Sequence, residues 1–326
     1  MKRIAVVGGG IAGCCASYAL AGAGCDVELF EAGRIGAQGA SSVPAALLNP
    51  HRGFTARAQD TDVVCLGATW QLVTSLSEAG FDAGARRCGV LRIAGSERQA
   101  RLWRRRHDSR WLQPEAIPDP YHAPFGGLWI ERGGWLSPSK LLACLRSAIE
   151  QAGAAVREGC RVLEVGPSAR GVTLRTSETE LAFDHAVLCT GTSTLSGVDL
   201  PGFERVAGDM VELESSVQLP YAVAGAVYGA QLGHSIFVGG NHRAAANSDP
   251  HAPQRLQQAF ARFVRPLERA ERRSVWTGVR AQPPGKTPIV REVAPNVWFL
   301  GALGGRGFLC AAHCSNVLVS ALLKPS

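Results

Sequence analysis

Within residues 3–31 (RIAVVGGGIAGCCASYALAGAGCDVELFE) one pattern narrows the fold more than any other. A short apolar strand, Ile4 to Val7, runs directly into Gly8, Gly10 and Gly13, spaced as GxGxxG. A helix follows, then a second strand that ends in the acid Glu31. Gly8 permits a tight strand-to-helix turn, Gly10 lets backbone approach a pyrophosphate, and Gly13 lets the helix pack closely on the sheet. The helix N-terminus offers unpaired N–H groups and a positive dipole to phosphates. Glu31, 23 residues beyond Gly8, is placed to accept hydrogen bonds from both hydroxyls of a ribose. The unit reads as a dinucleotide-binding βαβ of an α/β, Rossmann-like domain.

Cleavage of this apolar N-terminus as a signal peptide would remove the glycines and destroy the unit, so no leader is expected. No apolar run is long enough, and free enough of glycine and charge, to span a bilayer. The expected location is the cytoplasm. Ten cysteines are scattered without a CxxC pair, which excludes a disulfide framework or zinc knuckle. Cys310 and Cys314 lie one helical turn apart around His313, a spacing read as helix packing, and no metal is expected. The net charge of +7 is carried mostly by arginine, since only Lys2, Lys140, Lys286 and Lys324 are lysines. That balance is compatible with a polyanion without requiring one.

Along the chain, a Gly/Ala/Ser-rich stretch after Glu31 gives way to a helical pattern from Thr61 to Leu76. Ser137 and Pro138 open a second helix as N-cap and first helical residue. Strands are expected at Arg161 to Val165, Val172 to Thr176 and His185 to Cys189, a helix over Pro253 to Ala270, and a closing strand, Val297 to Leu300, before GALGGRGFL. The dinucleotide unit therefore appears discontinuous: 1–85, 134–205 and 270–326, with a strand-rich substrate unit from 86–133 and 206–269. Such an arrangement suits a flavoprotein better than a nicotinamide dehydrogenase, which is the third and weakest reading.

Three further segments, GASSVPAALLNP (Gly39 to Pro50), VLCTGT (Val187 to Thr192) and GALGGRGFLCAA (Gly301 to Ala312), complete a set that resembles the D-amino-acid-oxidase and glycine-oxidase family of flavoproteins. The resemblance spans nearly the full length. GGWLSP (133–138), FVGGNHR (237–243) and WTGVRA (276–281) are similar, in order, to the oxidase halves of bifunctional bacterial enzymes that modify the tRNA wobble uridine. It implies non-covalent FAD, held on a Rossmann-like domain with an inserted antiparallel substrate sheet. Cofactor contacts fall by resemblance on Gly8, Gly10, Ile11, Ala12, Gly13 and Glu31. Ala40, Ser41, Ser42, Ala45 and Leu47 belong to the loop crossing the pyrophosphate. Val162, Thr190 and Gly191 meet the cofactor at strand ends, and Gly304, Gly305, Arg306, Gly307 and Phe308 hold the flavin edge.

The implied activity is oxidation of a C–N bond in a glycine-like secondary amine, with carboxymethylaminomethyl-uridine in tRNA as the preferred substrate. Glycine, sarcosine or a D-amino acid is the alternative. A flavin-containing tRNA-binding protein without turnover is the competing class. Because the fingerprint opens the chain, the methyltransferase half of the bifunctional enzymes is expected in a separate partner. The substrate carboxylate requires a planar pair of donors, which arginine provides. Arg280 occupies the family's place for it, and Arg306 in the flavin loop is the second candidate. Asn241, His242 and Arg243 are weaker candidates for the pocket wall, with Tyr228, and His51 reads as structural. Arg98, Arg101, Arg104, Arg105 and Arg106, interleaved with Trp103 and Trp111, form either an RNA-facing patch or a solvated amphipathic helix. A second basic segment carries Arg262, Arg265, Arg269, Arg272 and Arg273.

Overall fold

In the computed structural model residues 1–324 are described, apart from 107, 169, 170, 246 and 248. Alternation along the first strands sets the architecture. In Arg3–Val7, Ile4 and Val6 point to one face and Ala5 and Val7 to the other, all buried. A strand buried on both faces needs covering layers on both. One is built by helices Ile11–Gly22, Asp60–Glu78, Pro138–Gln151 and Gly307–Leu322, whose apolar sides pack with Ile4, Val6, Val27, Leu29, Val187 and Leu300. The other is a small antiparallel sheet, Val162–Ser168, Gly171–Thr176 and Glu180–Phe183, over Ala5, Val7, Leu188 and Phe299.

Between these layers lies a six-stranded sheet in the order Ala155–Arg157, Asp26–Phe30, Arg3–Val7, His185–Leu188, Val297–Gly301, Ile289–Ala294. All pairs but the last are parallel. The carboxyl ends of three neighbouring strands, at Val7, Leu188 and Gly301, therefore open on the same edge of the sheet, where ligands of such folds sit.

A nine-stranded sheet faces that edge. Met210 pairs with Trp276 and Gly239, Gly239 with Tyr228, Tyr228 with Ala224, and Ala224 with Arg92. Residues in such register share one face. The alternate row, Val211, Val238, Val223 and Leu91, is buried against Leu256, Phe260 and Phe263. Gly229 allows that approach, since a Cβ there would lie 2.5 Å from the Phe260 ring. Strand Glu271–Gln282 pairs along its length with Glu204–Glu214 and so lies on this sheet, although a division at 270 assigns it to the dinucleotide unit.

Three local expectations change. The helix expected over 253–270 is Ala252–Ala261, followed by a short 3-10 turn at Arg265–Arg269. Pro266 cannot donate to a continuing helix, and Phe263 and Val264 turn into the core. The basic helix covers only Glu97–Trp103, and Arg110–Leu112 is a strand. Ser137 does stand at the N-cap of Pro138–Gln151, but its hydroxyl meets Ser139 Oγ at 3.2 Å instead of capping.

All ten cysteines are free. Burial pushes the Cys314 thiol up to about 12 and raises Cys15 and Cys189 further, so these groups behave as small hydrophobes. Among the described residues no group of three or more His, Cys, Asp or Glu converges as metal ligands would. No described helix is long and apolar enough to cross a membrane.

Phe299 is fully buried between the six-stranded sheet and the small antiparallel sheet. Phe299→Ala is expected to cost about 4 kcal/mol through lost burial and the remaining cavity. Urea denaturation, read as a lower midpoint at unchanged slope, checks this.

Candidate active site

A cleft of about 920 Å³ separates the open edge of the six-stranded sheet from the free face of the nine-stranded one. Its floor begins at the glycine turn. A Cβ on Gly8 would collide with Cys189 O, and one on Gly13 with Gly8 O, so both positions exclude any side chain. Gly8, Gly10, Ile11 and Ala12 line the cleft, whereas Gly13 lies beneath it and sets the helix against the turn. Gly10 provides no side-chain cap, and no acid occupies the first turn of Ile11–Gly22. Among the described residues the only side chain on these first N–H groups is Ser41, whose Oγ accepts from Ile11 N at 3.0 Å. An uncapped helix N-terminus facing a cleft fits a pyrophosphate.

Glu31 Oε2 accepts from Gly9 N at 2.6 Å and Oε1 from Gly33 N at 2.8 Å. Each oxygen keeps a lone pair, and the carboxylate lines the cleft, oriented for a ribose. Ala40, Ser41, Ala45, Leu47, Val162, Thr190 and Gly191 line the same cavity. Ser42 does not. Its hydroxyl accepts from Trp276 Nε1 at 2.9 Å and donates to Gly39 O at 2.9 Å, tying the loop to the facing sheet.

Opposite lies the 3-10 turn Gly304–Arg306, which leads into helix Gly307–Leu322. Gly304, Gly305, Arg306, Gly307 and Phe308 all line the cleft. Ala302 just before them has φ 52°, a left-handed conformation that costs a non-glycine residue energy and tends to mark functional loops. Arg306 departs from its expected role of gripping a substrate. It is buried, Nη1 donates to Asp62 Oδ1 at 2.9 Å, and Asp62 Oδ2 accepts from Arg52 Nε at 2.9 Å. Arg306 Nη2 is buried without an acceptor among the described residues. An orphaned donor beside glycine-lined backbone fits a cofactor carbonyl better than an empty wall.

Arg280 is placed differently. Its guanidinium spreads over Gly208, where a Cβ would collide with Nη2, and reaches toward Gly305, whose Cβ would stand 3.3 Å from Nη1. Nη2 donates to Asn241 O at 3.3 Å, and Nη1 lies 3.2 Å from His242 Nε2. No carboxylate pairs with Arg280 among the described residues. Met210, Tyr228, Trp276 and His242 complete this wall. Burial pushes the Tyr228 hydroxyl up, with Arg280 opposing, so it remains a neutral donor. Asn241 and Arg243 do not join the wall. Both are bonded to Asp209, whose carboxyl is held down by Arg243, Thr277 and Asn241 against the opposing effect of burial.

Sequence reasoning missed Asp62, Arg52 and Arg92. Asp62 sits in the first turn of its helix, where an acid ordinarily complements the dipole, so nothing local signals its ion pairs. His51, read as structural, is buried, and its Nδ1 lies 3.1 Å from Ala56 O. Trp103 is fully buried and donates from Nε1 to Phe54 O at 2.9 Å, and Trp111 packs under Arg104, so neither indole forms an open stacking platform. Arg98, Arg101, Arg104 and Arg105 remain exposed.

A family model described as FAD dependent oxidoreductase matches residues 3–321. The bifunctional tRNA 5-methylaminomethyl-2-thiouridine biosynthesis protein MnmC of Nitrosospira multiformis is 27% identical over 97% of this chain and 56% of its own length. The chain thus spans about half of that relative. The glycine oxidase of Geobacillus kaustophilus is 26% identical over 89% of this chain and 84% of its own. Its crystal structure superposes with a TM-score of 0.85 at 21% identity, covering 99% of this chain and 95% of that one. Iminodiacetate oxidase from Chelativorans has the same fold, with a TM-score of 0.84 at 18% identity over 99% and 96% of the two chains.

Two outcomes follow from the buried charges. Asp62→Asn leaves Arg306 and the partly exposed Arg52 without a counter-charge and is expected to cost about 3 kcal/mol in urea denaturation. Burial lowers the His51 pKa, with Arg92 and Arg106 adding to the shift and Ala56 and Asp108 opposing it. The folded protein therefore binds this proton less readily than the unfolded chain. Its contribution is complete above the ordinary histidine value of about 6.5 and is lost as pH falls below it. The thermal midpoint should drop on acidification from about pH 8 to about pH 5.5, and His51→Gln should flatten part of that slope.

Proposed function

Since the chain belongs to the FAD dependent oxidoreductase family, we propose that it oxidises the C–N bond of a glycine-like secondary amine, with Arg280 gripping the carboxylate. The observation that carries this reading is an arginine in the cleft beside the flavin loop, oriented by an imidazole and a backbone carbonyl and free of any acid among the described residues. Bound FAD would supply the hydride acceptor for the C–H bond that is broken. Gly8, Ile11, Ser41 and Glu31 would hold its pyrophosphate and ribose, and the turn at Gly304–Arg306 its ring edge.

The chain's own residues perform the remaining tasks. Arg280 offers two parallel N–H donors to a carboxylate, and the His242 and Asn241 contacts restrict its rotation. Gly208 leaves the space in which the guanidinium lies. Tyr228 supplies a neutral hydroxyl to the same wall. A neutral amine then needs no protein base, because the lone pair on nitrogen drives loss of hydride. The imine formed hydrolyses in water to an oxo acid and a shortened amine.

Among substrates, carboxymethylaminomethyl-uridine in tRNA is our first reading, supported by the similarity to MnmC along 97% of the chain and by the exposed arginines. A cytoplasmic enzyme working with a separate methyltransferase completes that proposal. Burial of Trp103 and the packing of Trp111 favour the second reading, a free N-substituted glycine such as sarcosine.

Anaerobic mixing with hypomodified tRNA, sarcosine and glycine distinguishes them by which one bleaches the flavin bands. Arg280→Met is expected to lower kcat/KM by about 10- to 100-fold, the loss of hydrogen bonds to a charged group. Gly208→Ala should raise KM more than it lowers the thermal midpoint, because the guanidinium of Arg280 must move while the Asn241 carbonyl, 3.1 Å from the new Cβ, need give only slightly. No bleaching by any amine, with salt-sensitive RNA binding that survives Arg280→Met, would replace catalysis by a binding role.

A further inference from the structure

The far end of the cleft carries more positive charge than the fold uses. Arg92 shares a sheet face with Tyr228 and Ala224 and lines the cavity, yet it is 5% exposed and has no acidic partner among the described residues. Its Nη1 and Nη2 donate to His51 O and Gly53 O, and its Nε is buried without an acceptor among the described residues. Desolvation alone pushes its guanidinium down to about 10. Between the two carbonyls it grips stands Arg52, whose Nε and Nη2 bond Asp62 while Nη1 has no hydrogen-bond partner among the described residues. Arg306 shares the same carboxylate. Two guanidinium groups thus share one acid, and Arg92, strapped to the turn that carries Arg52, adds a third charge with none. Asp108, which acts on His51, is bonded on both oxygens by Arg106. A cluster so far from neutrality in a partly dry site is costly unless an anion completes it.

We propose that this end of the cleft, with Arg52 as the contact and Arg92 as the buried charge behind it, binds a second oxyanion carried on the N-substituent of the amine substrate. The inference rests on the carboxylate reading of Arg280. The strand bearing Gly208, over which Arg280 lies, is four strands from that of Arg92, roughly 19 Å at ordinary strand spacing, less the reach of the side chains. A substrate spanning both ends is longer than glycine or sarcosine. Its second group is a terminal carboxylate or a nucleotide phosphate, both of which arginine recognises alike.

Affinity for paired ligands tests this on the FAD-loaded protein. Octanoate and octanedioate are compared by calorimetry, and carboxymethylaminomethyl-uridine with and without a 5′-phosphate by the concentration dependence of anaerobic flavin reduction. The second anion should tighten at least one pair about tenfold, the low end for a hydrogen bond to a charged group. The pair that responds identifies the source of the oxyanion. Arg52→Met should abolish the gain and Arg52→Lys restore part of it. Should Arg52→Met fail to fold, loss of the wild-type gain at high salt reads the same charge. No gain in either pair, or a gain that persists in Arg52→Met, overturns the proposal. Arg280→Met separates the two readings: it should weaken all four ligands, and if it weakens none the carboxylate reading fails, while a missing gain alone removes only the second site.

Discussion

Everything at the cofactor edge depends on one backbone contact. Helix Ile11–Gly22 starts so close to the strand before it that neither Gly8 nor Gly13 has room for a single methyl group. That closeness points the first N–H groups of the helix into the cleft, where among the described residues only the Ser41 hydroxyl caps them. It also fixes where Glu31 must stand, since its carboxylate is held by Gly9 N and Gly33 N at the end of the neighbouring strand. Turn, helix dipole and acid are thus one rigid unit, and the later crossings at Thr190 and Ala302 emerge beside it because their strands run parallel to the first.

The facing wall is built on a different principle. One face of the nine-stranded sheet is sealed by Leu256, Phe260 and Phe263, so the other is free to carry chemistry. In-register pairing distributes Trp276, Met210, Tyr228 and Arg92 across that face, each on its own strand. Rigid strands hold such groups more accurately than loops would. Trp276 then ties this wall to the cofactor side through Ser42, giving the cleft a fixed width near the glycine turn.

The arginines of the cleft show how similar residues come to do unlike work. Arg306 is neutralised by Asp62 and anchors the turn that precedes the last helix. Arg280 meets an imidazole and a backbone carbonyl and no acid among the described residues. Arg92 straps the turn at 51–53 through two carbonyls and leaves its charge uncompensated. What separates these roles is which acid lies within reach, a property of packing.

The dinucleotide edge was legible because its chemistry is local. Gly8, Gly10, Gly13 and Glu31 act through turn geometry, helix dipole and strand length, all contained in about 30 consecutive residues. The place of Arg280 in the cleft was expected only through resemblance. The ion pairs of Arg306 and Asp62, 244 positions apart, were not legible at all, nor was the burial of Trp103 within a segment patterned like a solvated helix. The sequence by itself determined that a dinucleotide is held at a glycine turn. Only the tertiary structure decided which guanidinium groups of the cleft are paired with an acid, because that depends on charge pairs formed across distant segments, and no periodicity or motif encodes them.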